Sequence, residues 1–230
     1  MKSCLFVFLG ILACIVVGVI FILRPKGLGV SYSPTDLESI YNKVGVAFEP
    51  LPSGTPSGKS LIVSGSHPVD QTFSSEEISA AADNRAKQYA YFPFRSVRIR
   101  VNSDGSVEGS ATVQYKDAVR YLVALGVAPK DIEEGAKKFN IPNATLPVYL
   151  KVSGSVMNNK TNIVVNRAEI ARVGISQNLV NDYTPALNGF IDSIIRSRMP
   201  SYNIQKLSVE NGKIHFTGNA PDKEQAVKSL

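Results

Sequence analysis

Residues 4–23 (CLFVFLGILACIVVGVIFIL) carry no charge, with Lys2 before them and Arg24 and Lys26 after. As a helix, twenty residues at ~1.5 Å each span ~30 Å, the thickness of a bilayer core. No second run of this length follows; beyond Gly27 the apolar positions recur at spacings of three and four or of two. Ser33-Pro34 opens a helix over 34–44, with Leu37, Ile40, Tyr41 and Val44 on one face and Gly45 at its end. Ser74 and Glu77 form a capping box that starts a second helix, running to about Tyr89. The period then shortens. Val97, Ile99 and Val101 alternate with Arg98 and Arg100. After the turn Asn102-Ser103-Asp104-Gly105, so do Val107, Gly109, Ala111 and Val113 with polar neighbours. This predicts a two-stranded ribbon with one wet face.

Two short helices are expected over 116–125 and 129–139. Strands along 148–156 and 161–166 follow, joined by the turn Met157-Asn158-Asn159-Lys160. Residues 177–198 make the strongest helix. Leu179, Val180, Tyr183, Leu187, Phe190, Ile191, Ile194 and Ile195 form one apolar stripe, with Pro185 either kinking the helix or marking a late start. A last hairpin, 204–209 and 213–218, turns at Asn211-Gly212. The fold class expected is α+β: an antiparallel twisted sheet of hairpins, one long amphipathic helix and shorter helices, after one N-terminal transmembrane helix. By composition the chain divides into an anchor at 1–26, a short helical juxtamembrane segment at 27–49, and a Pro/Gly/Ser linker at 50–71. An independent domain at 72–220 and a polar tail at 221–230 complete it. Leu61-Ile62-Val63 within the linker could pair as an edge strand. Residues 30–46 and 113–127 echo one another (Val-x-Tyr, an Asp-led helix, Gly-Val), a grammar that duplication or shared strand-helix punctuation explains.

The apolar run is too long for a cleaved signal peptide, and Gly27-Leu28-Gly29 is the one weak cleavage site. Ile11-Leu12-Ala13-Cys14 loosely matches a lipobox, but nine apolar residues follow Cys14. An uncleaved signal-anchor is therefore expected, with the other two as alternatives. Flanking positive charge nearly ties across the run, so it does not orient the chain. Both cysteines, Cys4 and Cys14, lie inside the run, so the rest has no disulfide framework and no thiolate metal site. A Cys-free, Ser/Thr/Asn-rich domain suits the outer side of a bacterial or archaeal cytoplasmic membrane. Of 25 basic side chains three flank the run, leaving 22 against 19 acidic ones. That balance, with no basic cluster among aromatics, argues against nucleic-acid binding.

Catalytic patterns are missing from the sequence. His215 reads as an outward strand residue and His67 as a linker residue, and no HxH or HExxH spacing is present. Gly54-Thr-Pro-Ser-Gly58-Lys59-Ser60 has three residues between its glycines where a phosphate-binding loop needs four. Glu76 and Glu77 suit a helix start, and Glu133 and Glu134 a wet helix face. No cofactor and no metal are expected, and an enzyme acting on a wall polymer is disfavoured. Tyr89-Ala90-Tyr91-Phe92-Pro93-Phe94 is the densest aromatic cluster. It reads as core, or as the rim of a cleft near a bilayer.

Phe73-Ser74-Ser75-Glu76-Glu77-Ile78 resembles the helix start of the YpmS-like and LmeA-like single-anchor envelope proteins. The long helix ending at 194–200 and the following Ile204-Gln205-Lys206-Leu207-Ser208-Val209-Glu210-Asn211-Gly212-Lys213-Ile214-His215-Phe216-Thr217-Gly218 extend the likeness over 72–220. The resemblance implies an elongated α+β domain whose apolar groove handles a lipid or a lipid-linked glycan. The long helix has more large apolar residues than a sheet of Val, Ile and Ala needs for cover. Tyr183, Leu187, Phe190, Ile191 and Ile194 are therefore expected to line the groove, with Tyr91, Phe92 and Phe94 at its mouth. The alternative is a non-catalytic structural protein that the juxtamembrane helix and linker position beside an envelope partner.

Overall fold

The computed structural model describes residues 24–55, 60–138 and 141–227. The apolar run 4–23, expected to be the anchor, lies outside them. Among the described residues no helix is long and apolar enough to cross a bilayer. They form an α+β fold of five helices and mostly antiparallel sheet.

The spine is β6 (Thr145–Met157). One of its edges pairs with β7 (Lys160–Ile170) from Val148 to Met157. The other edge pairs first with β5 (Ser106–Gln114), over 145–153. It then pairs with β9 (Asn203–Glu210), at Val156 and Met157. The sheet therefore forks. One arm continues from β5 to β4 (Phe94–Val101); the other runs from β9 to β10 (Lys213–Ala220) and β3 (His67–Phe73). Gly154 sits at the fork with φ +133°, and a Cβ there would lie 2.0 Å from the Asn162 carbonyl oxygen, so only glycine fits. A second sheet orders β1 (Ala47–Pro50), β11 (Lys223–Ala226) and β2 (Leu61–Ser64). Val46, Val69 and Ala220 pack between the two sheets with Val44, Phe48 and Phe216.

The strands thus cross the boundaries drawn from composition. The expected linker 50–71 carries β2 and most of β3, whose Val69 and Phe73 are buried. The expected polar tail carries β11. Composition misleads here because the polar groups are paired. Glu224 of β11 is almost fully buried against Arg85, and Asp222 beside it holds His67.

Both open edges of the β4–β7 arm are closed by helix side chains. α2 (Ser75–Gln88) lies antiparallel to β4. Its Ser75 Oγ accepts from the Val101 amide, Ser79 Oγ from the Ile99 amide, and Asp83 Oδ1 from the Val97 amide. Four helical residues rise ~6 Å and two strand residues ~6.6 Å, so side chains at i, i+4 and i+8 meet every second amide. α5 (Gln177–Ser197), which runs through Pro185, does the same for β7. Asn188 exchanges hydrogen bonds with both backbone groups of Ile163, and Asp192 accepts from the Thr161 amide. Unpaired strand edges are a hazard that such cover removes.

α1 (Pro34–Val44) caps at Ser33 and ends at Gly45 in the left-handed region, as its sequence predicts. It rests on α2, where Lys43 and Ser39 reach the buried Glu77. Burial raises the Glu77 carboxyl, but the hydrogen bonds from Lys43, Ser39 and the Ser74 amide outweigh it and hold the group below its ordinary range.

Candidate functional site

The β4–β7 arm has two unlike faces. On one, Glu108, Ser110, Tyr149 and Glu169 are buried beneath residues 24–32. Lys26 pairs with Glu169 and stands 3.7 Å from the centre of the Tyr149 ring. Leu28 is buried and its carbonyl accepts from Arg100. The Tyr32 hydroxyl donates to Asp83, and Arg98 stacks over the Tyr32 ring. Burial and the hydrogen bond to Glu108 push the Tyr149 hydroxyl up to about 12. This polar face is closed.

The opposite face is apolar. Register puts Val107, Gly109, Ala111 and Val113 of β5 beside Val152, Leu150, Val148 and Leu146 of β6. Ile99 and Phe94 of β4 extend the surface on one side, and Ala168 and Ile170 of β7 on the other. Along β6 from Leu146 to Val156, ten residues at ~3.3 Å make it ~33 Å long.

Among the described residues, cover over this face is incomplete. At one end α3 (Tyr115–Ala124) and α4 (Pro129–Lys138) form a roof. Neither helix buries a residue fully. Their Val119, Leu122, Ile132 and Ala136 face Val113, Leu146, Val148 and Ile170 across a cavity of about 400 Å³. Among the described residues the middle has no roof. There Ile99, Gly109, Ala111, Leu150 and Ala168 floor a cavity of about 470 Å³, with Phe92, Phe94 and Ala82 along its side. Leu150, at the centre of the floor, is 38% exposed. Val148 and Ile170 line both cavities, so the two adjoin along the same face. A separate, smaller hollow of about 200 Å³ lies in the fork, between Val107, Val152, Leu207 and Ile214. The walls are almost wholly hydrocarbon; Asp131 stands at the edge of the roofed part.

The residues expected in the groove divide. Phe92 and Phe94 line it, and Tyr183 joins the roofed end. Tyr91 lies in a separate shallow hollow with Val119 and Val123. Ile194 lines another cavity, of about 650 Å³, with Leu61, Tyr89 and Leu125. Leu187, Phe190 and Ile191 are half-buried and line none of these cavities. The helix turns much of its stripe to β7 because Asn188 and Asp192 lock it onto that strand. Sequence reasoning missed the floor, although alternation in 107–113 had marked it as the inner face. It missed the roof as well, whose helices were read only as short elements.

Both histidines have partners. His67 Nδ1 lies 2.7 Å from Asp222 and Nε2 2.8 Å from the Val44 carbonyl. His215 lies on the polar outer face of its strand, as expected, and is hydrogen-bonded there between Asp70 and Glu210 at 2.6 and 3.1 Å. Among the described residues no group of His, Cys, Asp and Glu is arranged to hold a metal ion.

Comparison with known proteins returns no match to a family model, a curated protein or a solved structure.

Proposed function

We propose that this chain is a membrane-anchored binding module, non-catalytic, that holds the acyl portion of a lipid or lipid-linked envelope molecule on the outer side of the cytoplasmic membrane. The observation that carries the reading is the apolar face of β4–β7, roofed at one end and open with Leu150 exposed at its centre. Apolar surface left to water costs about 25 cal/mol per Å² relative to burial, so an uncovered apolar floor favours a hydrocarbon occupant. Its two adjoining cavities, of about 400 and 470 Å³, fall in the ~300–1,000 Å³ range of small-molecule sites. The near absence of polar lining suits a chain of methylenes better than a sugar, so the groove takes the lipid part and leaves any headgroup outside. The apolar run 4–23 supplies the tether, and the likeness to single-anchor envelope proteins points the same way.

Photo-crosslinking tests this. The full chain, in nanodiscs containing a phospholipid with a diazirine in its acyl chain, is irradiated and its labelled peptides are mapped. Label on 107–113, 146–150 and 118–136 is expected. Label confined to residues 1–26 contradicts a groove occupant and favours the reading as a structural partner of another envelope protein.

A further inference from the structure

We infer that the domain is seated on the bilayer in one orientation, with the turn at Arg172 and Val173 against the lipid headgroups and the roofed end of the groove facing the membrane. The inference rests on the anchor reading above. It starts from how the chain leaves the domain towards residue 23. Residues 24–32 are strapped across the polar face and do not hang free. Arg172 Nε donates to the Arg24 carbonyl at 3.2 Å and Nη2 to the Pro25 carbonyl at 3.0 Å. Lys26, Leu28 and Tyr32 are then fixed in turn on Glu169, Arg100 and Asp83. A flexible leash would let the domain face anywhere; a strap bonded from Arg24 onward fixes the point at which the chain leaves the sheet.

The residues at that exit identify the end of the sheet nearest the bilayer. The Ala171 amide, next to Arg172, donates to the Pro147 carbonyl at 2.8 Å. Leu146 pairs with Val113, and Val113 with Phe94. This is the end where α3 and α4 roof the groove. The surface there suits a headgroup layer. Val173 is 69% exposed, the most exposed large apolar side chain of the described residues, and it stands beside Arg172 on the two-residue strand β8 (Val173–Gly174). A single apolar side chain flanked by arginine fits an interface of acyl boundary and anionic phosphate. A lipid tail could then pass from the bilayer under α3 and α4 without crossing water. The β6–β7 turn, with Met157 46% exposed, lies at the far end of β6 and faces away.

The chain contains no tryptophan, so one introduced residue is a clean reporter. Val173→Trp and, separately, Met157→Trp are placed in the full chain. Each is reconstituted into nanodiscs of phosphatidylglycerol and phosphatidylcholine, the latter brominated on its acyl chains near the headgroup. Val173→Trp is expected to lose most of its emission and Met157→Trp little. Adding Arg172→Ala with Lys26→Ala and Leu28→Ala, which removes the donor to the Arg24 and Pro25 carbonyls along with the Lys26 ion pair and so frees the strap, is expected to restore much of the lost emission. Equal quenching at both positions, quenching at 157 alone, or no quenching at 173 overturns the orientation while the groove and anchor readings stand. Quenching at 173 that survives release of the strap overturns the strap as its cause. A chain that salt washes from the discs overturns the anchor reading, and this placement with it.

Discussion

His67 carries more of the architecture than any motif in the sequence suggests. Its ring joins the end of α1, the start of β3 and the turn before β11, through the Val44 carbonyl and Asp222. The Gly45 Cα faces the same ring: a Cβ there would lie 3.0 Å from Nε2. The hydrogen bond with Asp222 and that with the Val44 carbonyl raise the His67 pKa above its ordinary 6.5. His215 is raised too, first by Asp70 and then by Glu210. A group whose pKa is higher in the folded state stabilises it fully below the unfolded value and loses that contribution as pH rises through the folded value. Thermal stability should therefore decline as pH rises from about 6.5 through the raised values of the two histidines. In the double variant His67→Gln, His215→Gln the decline should flatten, as circular dichroism melts across pH 5.5 to 9 would read. An unchanged slope would locate the pH dependence elsewhere.

At the scale of elements, the fold depends on helices closing strand edges with short polar side chains. Ser79 is fully buried, accepts from the Ile99 amide and donates to the Ile99 carbonyl. Ser79→Ala removes both partners, and leaving buried backbone groups unpaired should cost ~1–3 kcal/mol each. A urea denaturation midpoint lowered accordingly is the expected result; a midpoint within error of the parent would mean that water replaces the hydroxyl. The triplet Ser75, Ser79, Asp83 stands in the sequence at helical spacing, yet amphipathic reading looks for apolar stripes and passes over it. Other elements were legible because their determinants are local. The capping box Ser74/Glu77 starts α2, and Asn211-Gly212 turns the last hairpin. β3 and β11 were not, because their partners lie far along the chain. His67 and Asp222, for example, are 155 residues apart, and no local pattern reports such a pairing. The groove was half legible for a related reason. Alternation marks the apolar side of a strand, but it does not say whether anything covers that side.

For the whole molecule, one sheet has a closed polar face and an open apolar one. The strap 24–32 covers the first, and the roof and fork leave the second partly free. An apolar floor of this length is a liability for a chain that has nothing to place on it. Two glycines offer a way to fill the groove without disturbing its walls. A Cβ at Gly109, on the open floor, or at Gly135, in the roof, would meet no atom within 4 Å. Gly109→Phe with Gly135→Leu should therefore occupy the space a ligand needs while keeping the fold.

Native mass spectrometry of the full chain extracted in detergent from expressing cells, parent beside Gly109→Phe/Gly135→Leu, tests the groove most directly. The parent should carry lipid mass that survives release from the detergent micelle, and the filled variant should carry little or none at equal thermal stability. A parent free of lipid, or a filled variant that carries as much as the parent, would contradict a groove that holds an acyl chain.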